Sequence, residues 1–403
     1  MSTASGLCGQ WPLAGREAEM TEIAAELEPG DAGAVVLAGA GWMRCLALLF
    51  GGRVSEAKAV AEDGYATAAA HGADSNMIAV WAVCLGKAAW AQGQFAAADS
   101  ALREAVTLLS ERDDNLQFSR YVLAELAGVA AQAGDATAAL DWMSRSDSRP
   151  APANQMYEPW VELRRAWVIA ASGELARAGR QARHAAGLAR AAGQHAVEAE
   201  ALYDSVRLGH SPQATVSRLG ELAEALDGDL TPVLAAAAAA FESPDGHRLD
   251  QAAAAFGDLG LLTHAAEAAG AAARKHRAQG RPALASAARQ RLAALIHACS
   301  GAQTPLLRIN EADTVSVLTA REREIALMAS SGLPSKEIAA KLNLSVRTIS
   351  NHLGRVYAKL GIVGRAELAA RFTPAWGQPP PLLIAHPPPA SLARLSGCPV
   401  VGK

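Results

Sequence analysis

A glycine followed by an Ala-rich helical stretch recurs along this chain, and that recurrence limits its fold more than any other feature. Gly52, Gly93, Gly134 and Gly173 open the similar runs GRVSEA, GQFAAA, GDATAA and GELARA, at spacings of 41, 41 and 39 residues. A later copy, GRPALA, starts at Gly280, and weaker markers sit at Gly209 and Gly246. A repeat of this length is one supersecondary unit that cannot bury its apolar face alone, so neighbours must stack. Apolar residues make up 51% of the 403 and aromatics only 5%. Ala, the strongest helix former, dominates the apolar fraction. An all-α fold follows.

One unit shows how the pattern works. In residues 79–91, AVWAVCLGKAAWA, Ala82, Leu85 and Ala89 form one helical stripe, with Trp81, Cys84 and Ala88 beside it. This is a broad apolar face at the 3.6-residue period. Gly93 suits the left-handed position that ends a helix. Phe95 then fills the turn, and a second helix carries Leu102, Ala105 and Leu109 toward its neighbours. Units of this kind resemble tetratricopeptide repeats and predict six or seven helix pairs wound into a superhelix over residues 42–300. The concave side of such an array is its usual binding surface. Trp81, Trp90, Trp160 and Trp167 are either core aromatics or the lining of a groove for a small-molecule or protein effector.

Little else in this region carries chemistry. The histidines His71, His184, His195, His210, His247, His264, His276 and His297 are scattered without metal-ligand spacing and read as surface or turn residues. No nucleophile-elbow pattern occurs. The five cysteines are odd in number and far apart, which points to a reducing compartment and against a disulfide framework. The apolar run 231–241 is too short to span a bilayer. The expectation is a cytoplasmic protein that is not an enzyme, needs no cofactor or metal and has no membrane partner.

The charge is uneven. Net charge is -3, yet residues 315–372 hold nine Lys or Arg against four Asp or Glu, so +5 lies there and -8 elsewhere. A basic module on an acidic body is the electrostatic footprint of nucleic-acid binding. Its pattern is specific. Thr319 with Glu322 makes a capping box, ahead of the apolar positions Ile325, Leu327 and Met328. Pro334 precedes a second helix from Ser335 to Leu342, with Ile338, Ala339 and Leu342 inward. Asn343 and Leu344 make a tight turn. Ser345 caps a third helix whose buried stripe is Val346, Ile349, Leu353, Val356 and Leu360. Gly361 stops it, and a fourth helix, Arg365 to Ala370, closes the bundle.

Two short helices around a tight turn match the helix-turn-helix, whose second helix enters the major groove of double-stranded DNA. Arg347, Ser350 and Asn351 are the candidates for base edges, since Arg pairs with guanine and Asn with adenine. Lys336, Ser345, Thr348, Arg355 and Lys359 are the candidates for phosphates, which fix register without reading sequence. His352 is assigned to packing.

Leu318 to Phe372 resembles the LuxR-type DNA-binding domain over nearly its whole length. That resemblance implies a role on or beside the DNA face for Lys336, Arg347, Thr348, Asn351, His352 and Lys359. Pro334 and Ser350 depart from the family's usual residues. It also implies a homodimer on paired half-sites, with Ile362, Val363 and Leu368 as pairing candidates. The segment 13–41, which includes LAGRE and VVLAGAG, resembles the start of the large ATP-binding LuxR-type regulators. On that likeness Val35 to Leu37 is a strand running into the turn Gly39-Ala40-Gly41. The Gly-Lys-Ser/Thr of a phosphate loop is missing, with Trp42, Met43 and Arg44 in its place. No ATP hydrolysis is expected.

The expected organisation is an ATPase-like remnant at 1–41, partly disordered or capping, repeats at 42–300, a linker at 301–314, a four-helix LuxR-type domain at 315–372, and a Pro-rich disordered tail at 373–403. The expected function is sequence-specific transcriptional regulation, with the repeats binding an effector or partner. The alternative is a protein-interaction scaffold with a vestigial DNA-binding tail.

Overall fold

The computed structural model describes residues 31–110, 117–149, 152, 154–209, 213–299, 301–307, 318, 320–360, 362–365, 367 and 368. The expected remnant up to residue 30, the Thr319 cap, the Gly361 stop and the Pro-rich tail lie outside them. The described residues form α-helices and one short 3-10 turn, with no strand. The chain divides into two units, 1–317 and 318–403.

Fourteen helices among the described residues build the first unit as seven pairs. They are α1 (Asp31–Phe50), α2 (Val54–Ala70), α3 (Ser75–Ala91), α4 (Phe95–Ser110), α5 (Ser119–Gln132), α6 (Ala136–Asp147) and α7 (Glu158–Ala171). They continue with α8 (Leu175–Ala191), α9 (His195–Arg207), α10 (Gln213–Ala225), α11 (Leu230–Glu242), α12 (Gly246–Asp258), α13 (Leu262–Ala278) and α14 (Pro282–Ala298). The repeat glycines sit where the odd helix of a pair turns into the even one. At Gly93, φ is +74°. Its N–H donates to the Trp90 carbonyl, and the Gln94 N–H reaches back to Ala89. This paired closure satisfies the last carbonyls of the helix and needs a left-handed residue. Gly246 does not belong to the series. It is the first residue of α12, and the ring of His276 lies where its Cβ would be.

The even helices are amphipathic. In α4, Phe95, Ala98, Leu102, Ala105 and Leu109 are buried and the opposite face is wet. Several odd helices are buried almost all round; in α5 every residue but Arg120 is. A superhelix with an open concave side would leave one face of these helices in water. Here the array closes on itself. The turn after α1 meets the start of α11, where the Asp229 N–H donates to the Gly51 carbonyl at 3.0 Å. The turn after α3 meets the last pair, with Gly93 against Cys299 and Thr263. The odd helices line an interior that remains partly open to solvent at Glu200.

Three expectations are corrected. Val35 to Leu37 and the glycines after them belong to helix α1, so the strand and phosphate-loop turn are not formed. Gly41 has a packing role instead: a Cβ there would fall 2.0 Å from the indole of Trp81. His264 and His276 are not surface residues. His276 is fully buried with its Nε2 2.8 Å from Asp250 Oδ2, and His264 stacks on Tyr203. The segment 301–307 is also no free connection. The Gln303 N–H donates to the Gln132 carbonyl at 2.7 Å, and Thr304 and Leu307 are buried.

Closure makes one glycine far more sensitive than the others. At Gly228, φ is +97° and a Cβ would lie 2.8 Å from Gly51 Cα. Gly173 has a similar φ, +89°, and open space around it. In urea melts Gly173→Ala should cost about 1 kcal/mol, from backbone strain alone. Gly228→Ala should cost roughly 2–4 kcal/mol, because overpacking adds to the strain. Equal costs would refute closure at this contact.

Candidate DNA interface and the interior of the repeats

The second unit has its own small core. Helix α15 (Ala320–Ser330), α16 (Ser335–Leu342) and α17 (Val346–Leu360) meet through Leu318, Ile325, Ala326, Ile338, Ile349 and Val356. Asn343 ends α16 with φ +54°, a left-handed conformation that Asn tolerates better than most residues. The Leu344 N–H then closes onto Ala339. Ser345 caps α17: its Oγ accepts from the Thr348 N–H at 3.0 Å and lies 2.7 Å from the Thr348 hydroxyl.

The face of α17 opposite the core is wet and polar. Arg347, Ser350, Asn351, Gly354 and Arg355 are exposed along it, at spacings of three or four. Arg347, Ser350 and Asn351 therefore share one accessible surface, with the Ser350 hydroxyl donating to the Val346 carbonyl at 3.1 Å. Lys336 is exposed on α16 and Thr348 is half-buried beside its cap. Lys359 stands apart, because its ammonium is held by the buried carboxylate of Glu322 on α15. His352 is half-buried, with a Nδ1 that is buried and has no hydrogen bond.

Some expected core positions are not core. Val346 is 47% exposed and Leu327 50%. The pairing candidates also separate: Leu368 is fully buried in the unit's own core, Ile362 is half-buried, and Val363 is 91% exposed. Sequence reasoning missed two tethers. Arg365 donates to the Ala329 and Leu333 carbonyls at the end of α15, and Arg321 reaches the Leu342 carbonyl. Each satisfies a helix-end acceptor that has no partner within its own helix.

The four tryptophans of the first unit occupy different settings. Trp81 is packed on Gly41 and Gly64. Trp160 lies in an aromatic cluster with Trp42, Phe50, Tyr121 and Tyr157. Trp167 is buried and donates to Asp204 Oδ2 at 2.7 Å. Of the four, only Trp90 lines the interior cavity.

The interior holds paired charges that the helical periodicity does not announce. Arg164 donates to Glu125 at 3.1 Å and to Glu200 at 3.0 Å, and its guanidinium lies 4.5 Å over Trp90. Lys87 Nζ is 3.3 Å from Glu125 and 4.7 Å over Trp160. Arg207 bonds Asp204 at 2.7 Å and Glu267 at 2.7 and 3.0 Å, and Thr304 donates to the same Glu267 at 2.5 Å. Burial alone would lower the pKa of both arginines, but the facing carboxylates outweigh it. Burial likewise raises the Glu125 carboxyl, and the opposing pull of Arg164 and Lys87 holds it below its ordinary value. For Lys87 burial wins, and its pKa is lowered despite Glu125.

The Glu125 contribution has a definite pH direction. A carboxyl with a depressed folded pKa contributes stability above its unfolded value, about 4.3. That contribution is lost as pH falls through the folded value. Glu125→Gln should cost about 3–5 kcal/mol at neutral pH by stranding Arg164 and Lys87. It should also flatten the acid limb of a stability–pH curve. An unchanged acid limb would remove Glu125 from this role.

Residues 316–372 match the family model described as bacterial regulatory proteins, luxR family. The monoamine regulon transcriptional regulator of Klebsiella aerogenes is 43% identical over 61 residues, 15% of this chain and 27% of that protein. The transcriptional regulatory protein UhpA of Escherichia coli is 42% identical over 59 residues, 15% of this chain and 30% of its own. An HTH-type transcriptional regulator of Mycobacterium tuberculosis is 47% identical over 51 residues, 13% of this chain and 6% of that protein. The chain thus spans under a third of each relative's length. A solved Rap protein, complexed with competence and sporulation factor, aligns over 88% of this chain and 92% of its own. Its identity is 13% and its TM-score 0.41, too low to equate the two folds. Among the described residues no helix is long and apolar enough to cross a membrane, and no group of three His, Cys, Asp or Glu could hold a metal ion. The C-terminal unit of this chain carries a LuxR-type helix-turn-helix domain.

Proposed function

We propose that the chain is a sequence-specific DNA-binding transcriptional regulator that acts as a homodimer in the cytoplasm, with its repeats binding an effector or a protein partner. The observation that carries this reading is the exposed face of α17. It puts Arg347, Ser350 and Asn351 on one accessible surface, opposite Ile349, Leu353 and Val356. Arg and Asn have the donor and acceptor patterns for guanine and adenine edges. Lys336 and Arg355, both exposed, supply phosphate contacts, as do the capped start of α17 at Ser345 and Thr348. Val363, with Ile362 beside it, supplies the pairing surface; Leu368 supports it from within the core.

The repeats reach the DNA-binding unit through the segment 301–307. That segment is anchored to Gln132 and Glu267 in the interior.

Mobility-shift titrations of the full chain against genomic fragments test the reading. Binding should prefer particular sites and weaken steeply with salt, as phosphate contacts release counterions. Arg347→Ala or Asn351→Ala should weaken specific binding about tenfold or more while nonspecific binding stays. Arg355→Ala should lower the salt slope by about one instead. If neither the full chain nor its variants show site preference, the scaffold alternative replaces this reading.

A further inference from the structure

The odd helices of the closed array surround a cavity of about 130 Å³. Engineered apolar cavities of roughly 150 Å³ accept a benzene ring, which sets the scale. One wall is apolar, made by Leu46, Leu49 and Phe50 of α1 with Leu230, Leu234 and Leu261 from the far end of the array. The opposite wall carries the paired charges. Glu200, a third of whose side chain is exposed, marks where the cavity meets solvent.

We propose that this cavity is a binding site for a small, uncharged, largely apolar organic molecule of about one ring. Two observations select that class. First, the cations of the wall are already engaged. Arg164 is held by Glu125 and Glu200, Arg207 by Asp204 and Glu267, and Lys87 by Glu125. An anion would have to break one of these buried pairs, and a cation would have to displace Arg164 from Glu200. Either exchange strands a desolvated charge.

Second, the rest of the wall offers contact only to an uncharged body: Leu46, Leu49, Phe50, Leu230, Leu234 and Leu261 supply van der Waals contact and nothing that would replace the hydration of a charge. The rings of Tyr203 and His264, stacked at 5.7 Å and 17°, also line it, with the phenol oxygen and Nδ1 buried.

The inference rests on reading the repeats as the sensing part of a regulator, and it gives that part a ligand class. An occupant would contact Arg207, whose partner Glu267 also holds Thr304 of the anchored segment.

Calorimetric titration of the full chain with three probes sharing one ring tests it: 4-methylphenol, 4-methylbenzoate and 4-methylbenzylammonium. The uncharged phenol should bind saturably, one per chain, in the millimolar range or tighter, and both ions at least about tenfold more weakly. Leu49→Trp, which fills the cavity, should abolish binding. Absence of saturable phenol binding, equal binding of either ion, or unchanged affinity in a folded Leu49→Trp protein overturns the proposal. DNA binding is measured in the same samples without probe. Phenol binding without site-preferring DNA binding would defeat the regulator reading alone, and the converse would defeat this site alone.

Discussion

Glu267 joins the interior of the repeat unit. It is fully buried on α13, accepts two bonds from Arg207 on α9 and a third from Thr304 beyond the last helix. A carboxylate removed from water this completely persists only with its charge and lone pairs answered. Arg207 and Thr304 answer it, and in doing so they fix the fifth repeat, the seventh repeat and the segment that leads out of the array. The second cluster, Arg164 with Glu125, Glu200 and Lys87, does the same for the second to fifth repeats. These pairs specify how the Ala-rich helices are arranged, since small apolar faces alone would tolerate many crossings.

Closure explains why such groups are inside. Where odd helices are buried nearly all round, as α5, α9 and α13 are, Arg164, Glu125, Arg207 and Glu267 must find partners inside the protein. The same closure narrows the concave surface to a cavity lined by paired charges and by apolar side chains. The C-terminal unit follows a simpler rule. Its three described helices bury one stripe each, and the polar side of α17 is left exposed.

Much of the C-terminal unit was legible because its signals are local. Helix spacing, the Ser345 cap, the Asn343 turn and the polar face with Arg347 and Asn351 depend on residues within a few positions of each other. The misreadings there came from distant partners. Leu327 and Val346 fit an apolar stripe by period, yet each projects beyond the small core. Lys359 reads as a free cation until α15 brings Glu322 against it. In the repeats the glycine turns were equally plain, whereas Val35 to Leu37 read as a strand. The β-branched Val35 and Val36 favour that reading locally, but the segment belongs to helix α1.

The sequence by itself determined the all-α class, the pairing of helices around left-handed glycines, and a basic helix-turn-helix with one polar face. These follow from propensity, period and chirality, which act over a single turn or hairpin. Tertiary structure alone decided that the array closes, that His264 is half-buried and His276 and Thr304 buried, and that Lys87, Arg164 and Arg207 face carboxylates about 36 to 60 residues away along the chain. The physical reason is range. Charge pairing and close packing depend on distance in space, and nothing in a helical period records which turn of a superhelix will meet another.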